Sequence, residues 1–259
     1  MKVVILCGGL GTRLREETEF RPKPMVEIGE RPILWHIMKI FNQFGYNEFV
    51  LCLGYKGEYI KNYFYNYELM NESVTIELGH PMKVTVNEYH SEIGWKIAMV
   101  NTGDNTLKGG RIKKVEKYID GDVFLLTYGD GLADVDINKL VEFHKSHGKM
   151  ITVTGVNIAS RFGELKIDGD KVTSFSEKPE KSNSYINGGF FVVNRKVFDY
   201  LSIDDDCDFE YGPLEKIAQE GQLMVYKHDG SWACMDTIRD VQYLNSLWNN
   251  GKAFWKNWG

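Results

Sequence analysis

The run "VVIL", Val3 to Leu6, passes straight into "CGGLGTRLREETEFRPKPM", and that junction limits the fold more than any other stretch of the chain. Four consecutive aliphatic residues, apolar on both faces, read as a strand covered on both sides, the habit of parallel sheets in α/β proteins. Gly8, Gly9 and Gly11 then remove side chains where the chain must turn. A glycine-rich loop at the carboxyl end of a first parallel strand is where open α/β sheets bind ligands, and its backbone N–H groups can approach a phosphate closely. Leu14 stands where a G-x-G-x-x-G loop needs its third glycine, and Thr12-Arg13 follows Gly11 where a P-loop needs Lys-Ser/Thr. Neither of those phosphate loops is present. Arg13 offers a planar fork of donors suited to phosphate oxygens. Lys23 follows ten residues later, held between Pro22 and Pro24, which restrict where its stem can point. Glycines alone are better explained by a plain βα connection. Joined to Arg13 and the Pro-Lys-Pro segment, they point to a nucleoside-triphosphate site.

The rest of the chain repeats this grammar. "PILWHIMKIFNQFG" carries apolar residues at 33, 34, 37, 40, 41 and 44, a helical period, with Pro32 at its start and Gly45 at its end. "EFVLCLG" is a second buried strand and "EYIKNYFYNY" a second helix; the β-loop-α-β-α order builds a parallel sheet with helices on its faces. Between Val74 and Val100 short alternating runs predict an inserted hairpin or a mixed sheet edge. "GGRIKKVEKYI" reads as a helix, "DVFLLTYGDG" as a third buried strand, and "DINKLVEFHKSHG" as a helix capped by Asp136. "MITVTGV", a hairpin "ELKIDGDKVTSFSEKP" with a D-G turn, and "INGGFFVVN" complete the sheet, and "GPLEKIAQEG" and "DVQYLNSLWNNG" are late helices. The expected fold is α/β: a Rossmann-like, doubly wound, mostly parallel sheet with helices on both faces and small β-hairpin insertions. No low-complexity linker or fixed-period repeat interrupts residues 1–259, so one domain is expected.

Composition removes several alternatives. Hydrophobic residues at 43% and charged residues at 26% are enough for a sizeable core, and the net charge of −5 argues against a nucleic-acid binder that neutralises phosphates. The cysteines at 7, 52, 207 and 234 have neither C-x-x-C spacing nor disulfide-scaffold density. "VVILC" is too short for a signal-peptide core and no later run approaches a membrane span, so a cytoplasmic protein off the membrane is expected.

"GGLGTRL" followed by "PKPM" resembles the signature of the sugar-1-phosphate nucleotidylyltransferases. The likeness continues through "PILWHIMK", "TGDNTLKGGR", "TYGDGLADVDI", "RFGELKI", "EKP", "INGGFFV" and "WACMDTIRD", almost the whole chain. "MVEIGERPILWHIMK", "MDTIRD" and the tail "LWNNGKAFWKNW" most resemble the members that join CTP to glucose 1-phosphate, giving CDP-glucose and pyrophosphate. UTP or dTTP, or another phosphorylated acceptor, would keep the same chemistry. The resemblance implies Mg²⁺ held by Asp130 and Asp236, although sequence alone does not bring those two together. It implies that Arg13, Lys23 and Asp130 are catalytic. It places the nucleotide on Leu6, Cys7, Gly8, Gly9, Leu10, Gly11, Thr12, Arg13, Lys23, Thr106, Arg111 and Gly129, and the sugar phosphate on Gly163, Glu177, Lys178 and Asn187. It further implies a homo-oligomer, with the segment from about 238 to 259 at a subunit interface, and a place in sugar-nucleotide supply for surface polysaccharide. No hexapeptide repeats follow, so an appended acyltransferase module is not expected.

Cys7 stands where the family usually has alanine, and a thiol beside the loop is expected to be open to oxidation. The six histidines show no metal-ligand spacing and are expected to be surface or core residues. "DVD", Asp134 to Asp136, imitates a glycosyltransferase metal motif, but it opens a helix, where N-terminal acids are favourable anyway. Trp248, Trp255 and Trp258 suit either the core or an interface.

Overall fold

The structure, a computed structural model, describes residues 1–87, 90–157, 164–176 and 184–258. In chain order the elements are β1 (Val3–Leu6), α1 (Arg15–Thr18), β2 (Glu27–Ile28), β3 (Arg31–Pro32), α2 (Ile33–Asn42), β4 (Glu48–Leu53), α3 (Gly57–Tyr65), α4 (Tyr67–Asn71), β5 (Val74–Glu77) and β6 (Lys83–Val86). They continue with β7 (Lys96–Asn101), α5 (Lys108–Lys114), β8 (Val123–Tyr128), β9 (Gly131–Ala133), α6 (Ile137–His147) and β10 (Ile151–Val156). The last are β11 (Glu164–Asp168), β12 (Lys171–Ser176), β13 (Ile186–Asn194), α7 (Glu215–Gln219), β14 (Leu223–His228), β15 (Trp232–Cys234) and α8 (Ile238–Asn249).

Seven strands form the central sheet in the order β14-β10-β13-β8-β1-β4-β7. β13 runs antiparallel to both neighbours, and every other pairing in the sheet is parallel. The expected hairpin insertion is β5–β6, whereas the neighbouring run 96–101 is the parallel edge strand β7. The D-G turn joins β11 to β12 as expected.

The two-faced burial follows from the period of a strand. Val3, Ile5, Phe49, Leu51, Leu125, Phe190 and Val192 enter one core with α2, α6 and α8. Their alternates Val4, Leu6, Val50, Cys52, Phe124, Leu126, Phe191 and Val193 enter a second core with α5 and α7. Strands buried on both faces need continuous apolar runs, and so each strong run in the sequence became a sheet strand. Asp136 caps α6 by accepting from Lys139 N (3.0 Å). Among the described residues no helix is long and apolar enough to cross a membrane.

The C-terminal tryptophans belong largely to the core. Trp255 is fully buried and its Nε1 donates to His36 Nδ1 (3.3 Å), while Trp248 and Trp258 pack on the same imidazole. His36 Nε2 in turn donates to the Ile28 carbonyl (2.9 Å), which leaves the ring neutral. Burial pushes its pKa down to about 4.

Candidate active site

The loops that leave β1, β4, β7 and β8 all emerge at one edge of the sheet, because those strands are parallel. The first is the glycine loop. Gly11 sits in the left-handed region (φ 63°), so the chain turns sharply after Leu10 into the 3₁₀ turn Thr12–Leu14. Thr18 Oγ1 donates to the Gly11 carbonyl (3.1 Å) and pins the bend from below.

Lys23 opens a single 3₁₀ turn, Lys23–Met25, whose Pro24 and Met25 are buried. Its base is therefore anchored in the core, and its ammonium reaches Asp130 Oδ2 and Asp236 Oδ1, each at 2.6 Å. Arg13, largely exposed, pairs with the other oxygen of Asp236 at 2.8 Å. Burial alone would lower the Lys23 pKa. The charge and hydrogen bond of Asp130, with a hydrogen bond to Asp236, outweigh it and hold the lysine protonated, above its ordinary value.

Asp130 and Asp236 are brought together by a strand pair that has no visible sequence signature. β15 pairs antiparallel with β9, Cys234 opposite Gly131, and Met235 N donates to the Asp130 carbonyl (2.9 Å). Three-residue strands are too short to show a period. A capping box then fixes the far side: Asp240 Oδ2 accepts from Asp236 N (3.1 Å) and Thr237 N (2.8 Å) at the start of α8.

Ligand atoms of Asp130, Cys234 and Asp236 lie within 4.8 Å of one another. Burial, then the Asp130 charge, pushes the Cys234 thiol far up, so it stays protonated and is a poor ligand for a hard ion. The two carboxylates already flank a cation, the Lys23 ammonium. Hard oxygen donors on either side of one positive charge fit Mg²⁺, which takes few protein carboxylates and completes its shell with phosphate oxygens and water.

These groups open onto a cleft of about 570 Å³. Of the residues expected at the nucleotide, the loop 6–13 lines it with the exception of the half-exposed Leu10, and so do Lys23, Thr106, Arg111 and Gly129. Asn187 lines it too, at the start of β13. Gly163, Glu177 and Lys178 lie outside the described residues. Arg111 is buried and its guanidinium donates to the carbonyls of Gly8 (2.9 Å), Leu53 (3.2 Å), Gly103 (2.6 Å) and Asp104 (3.2 Å). It thereby ties the loops after β1, β4 and β7 together. Thr106 is likewise buried, 2.7 Å from the Thr102 carbonyl and 2.5 Å from Asp205 Oδ1.

Residues 2–254 match the family profile described as nucleotidyl transferase. The chain belongs to that family. A glucose-1-phosphate cytidylyltransferase from Salmonella typhi is 49% identical over 260 residues, covering 100% of both chains. A probable glucose-1-phosphate cytidylyltransferase from Bacillus subtilis is 46% identical, again covering 100% of both. Among solved structures, HddC from Yersinia pseudotuberculosis complexed with GMP-PN superposes with a TM-score of 0.67 at 25% identity, over 95% of this chain and 99% of that one.

For this nucleotidyl transferase family member the glycosyltransferase-like "DVD" is engaged elsewhere. Asp134 Oδ1 accepts from Ser231 N (2.8 Å) and lies 2.8 Å from His228 Nε2, while Asp136 caps α6. His144 and His147 share Thr152 Oγ1 as partner, at 2.9 and 2.8 Å. One expectation is corrected. Cys7 is not a reactive thiol: it is 1% exposed, and burial, with the neighbouring Cys52, pushes its pKa well up, so little thiolate exists to be oxidised. The cleft residues that residue type did not single out include Lys108, Tyr128, Glu210 and Trp232. Tyr128 stands beside Gly129-Asp130 and was within reach; Glu210 arrives from a kinked turn that no sequence period announces.

Proposed function

We propose that the protein transfers a cytidylyl group from CTP to α-D-glucose 1-phosphate, releasing CDP-glucose and pyrophosphate. The observation that carries this reading is the Lys23 ammonium held between Asp130 and Asp236 at the mouth of the glycine loop. Full-length likeness to proteins named glucose-1-phosphate cytidylyltransferase supplies the base and the sugar.

In the proposed reaction a phosphate oxygen of the sugar phosphate attacks the α-phosphorus, and the bond from that phosphorus to the bridging oxygen of pyrophosphate breaks. Both reactants are anions, so the chain's task is charge neutralisation and alignment rather than proton transfer. Asp130 and Asp236 would hold Mg²⁺, which when bound neutralises phosphate charge. Arg13 and Lys23 meet the triphosphate, and residues 6–12 with Gly129 supply backbone close to it. Arg111 and Thr106 are assigned to the nucleotide end, where their bonds also hold the surrounding loops. Asn187, with Gly163, Glu177 and Lys178, is assigned to the sugar phosphate. We further assign the protein to the cytoplasm, as one domain that works as a homo-oligomer.

A matrix of CTP, UTP, dTTP and GTP against several sugar 1-phosphates, followed by pyrophosphate release, tests the assignment. The CTP and glucose 1-phosphate pair should give the highest kcat/KM. A higher value for another pair would reassign the substrates, and release of nucleoside mono- or diphosphate without pyrophosphate would overturn the reaction type.

A further inference from the structure

Four polar side chains from four separate segments meet on the wall of the same cleft. Lys108 opens α5, Tyr128 ends β8, Asn187 is the second residue of β13, and Glu210 precedes the non-helical backbone at Tyr211 and Gly212. Lys108 Nζ lies 2.7 Å from Glu210 Oε2 and 5.6 Å above the Tyr128 ring. The Tyr128 hydroxyl donates to Glu210 Oε1 (2.6 Å), and Asn187 Nδ2 donates to the Tyr128 oxygen (3.0 Å). Asn187 Oδ1 accepts from Gly189 N (2.9 Å).

The direction of every bond in this chain is fixed. An ionised carboxylate only accepts, so the tyrosine must donate to it and has only lone pairs left for the asparagine. The asparagine cannot turn over, because its carbonyl would then face a tyrosine oxygen without a proton and its NH₂ would face the Gly189 N–H. Gly189, in the left-handed region (φ 84°), also makes room for the ring: a Cβ there would sit 2.7 Å from Tyr128 Cδ2. Among the described residues, one N–H of the Asn187 amide has no partner.

We propose that Lys108, Glu210 and Tyr128 are positioning residues that fix Asn187 as a one-way donor to an oxygen of the sugar 1-phosphate, and so help to set which acceptors are used. This rests on the nucleotidylyl-transfer reading above. A hydroxyl or ether oxygen can accept that bond, whereas an ammonium group has no lone pair to offer. A hexose 1-phosphate with a hydroxyl at the position read is therefore preferred to a hexosamine 1-phosphate carrying its amine there.

Tyr128→Phe, Asn187→Ala and the double variant test this by steady-state pyrophosphate release, each confirmed folded by circular dichroism. Tyr128→Phe should raise the KM for glucose 1-phosphate about tenfold or more, the scale of losing a hydrogen bond to a fixed group. Its KM for CTP should stay within about twofold, and the double variant should lose no more than Asn187→Ala alone, since coupled residues are not additive. Parallel rises in both KM values, an unchanged acceptor KM, or additive losses in the double variant would overturn the positioning role. If the wild type prefers another sugar 1-phosphate, the substrate assignment fails and the same comparison on that sugar decides the positioning role separately. A wild type that forms pyrophosphate with no sugar 1-phosphate overturns both.

Discussion

Lys23 faces both carboxylates that are assigned to Mg²⁺, so its charge is neutralised by the same groups that the ion would use. Part of the triphosphate charge would fall to the lysine once an ion lies between the acids. Lys23→Ala should remain folded by circular dichroism and lose about 10²- to 10³-fold in kcat, the cost of removing one pre-organised charge. Asp130→Asn should behave alike; a loss below tenfold in either would contradict the role. At this scale the sequence was informative wherever a residue type is unusual in its place. A lysine between prolines and glycines after a buried strand were legible. Arg111 was legible as a cation near the loop, but not as the clamp on four carbonyls that it forms, because such bonds depend on where β4 and β7 end. Glu210 was not legible at all.

The strong strands and helices announced themselves, since burial on both sheet faces demands continuous apolar runs and α2 needs its helical stripe. The elements that assemble the site are the short ones. β9 and β15 carry three residues each, yet their pairing closes the distance between positions 130 and 236. The capping box of α8 finishes the job, and it can be tested against an ordinary cap. Asp240→Ala should cost about 1 kcal/mol in urea unfolding, as cap removal does, and should also lower turnover, because the Asp236 backbone loses its anchor. Asp136→Ala, at the cap of α6, should cost a similar amount and leave turnover unchanged. Equal turnover in the two variants would show that the α8 cap does not hold Asp236 in place.

At the scale of the whole molecule, the described sheet separates two cores, and the C-terminal tail closes one of them by setting Trp255 against His36. That His36 stays neutral when folded has a pH consequence. Its pKa falls from 6.5 to about 4, so below 6.5 the unfolded chain binds this proton first. The contribution is complete above 6.5 and is lost as the pH falls towards 4, by up to about 3 kcal/mol. Urea titrations should show a smaller drop over that range for His36→Gln than for the wild type; equal drops would contradict a neutral buried ring. The mostly parallel, two-faced sheet was readable from the chain, and the tail's destination was not, because a tryptophan cluster suits core and interface equally well. The central claim is spatial: the bend after β1 wraps a triphosphate whose metal lies between two acids 106 positions apart in the chain. Crystals soaked with CTP and Mn²⁺, a magnesium substitute with anomalous signal, test it most directly. The account predicts an anomalous peak bridging the Asp130 and Asp236 carboxylates, with the phosphates along residues 8–13; a nucleotide bound elsewhere, or a metal touching neither acid, would contradict it.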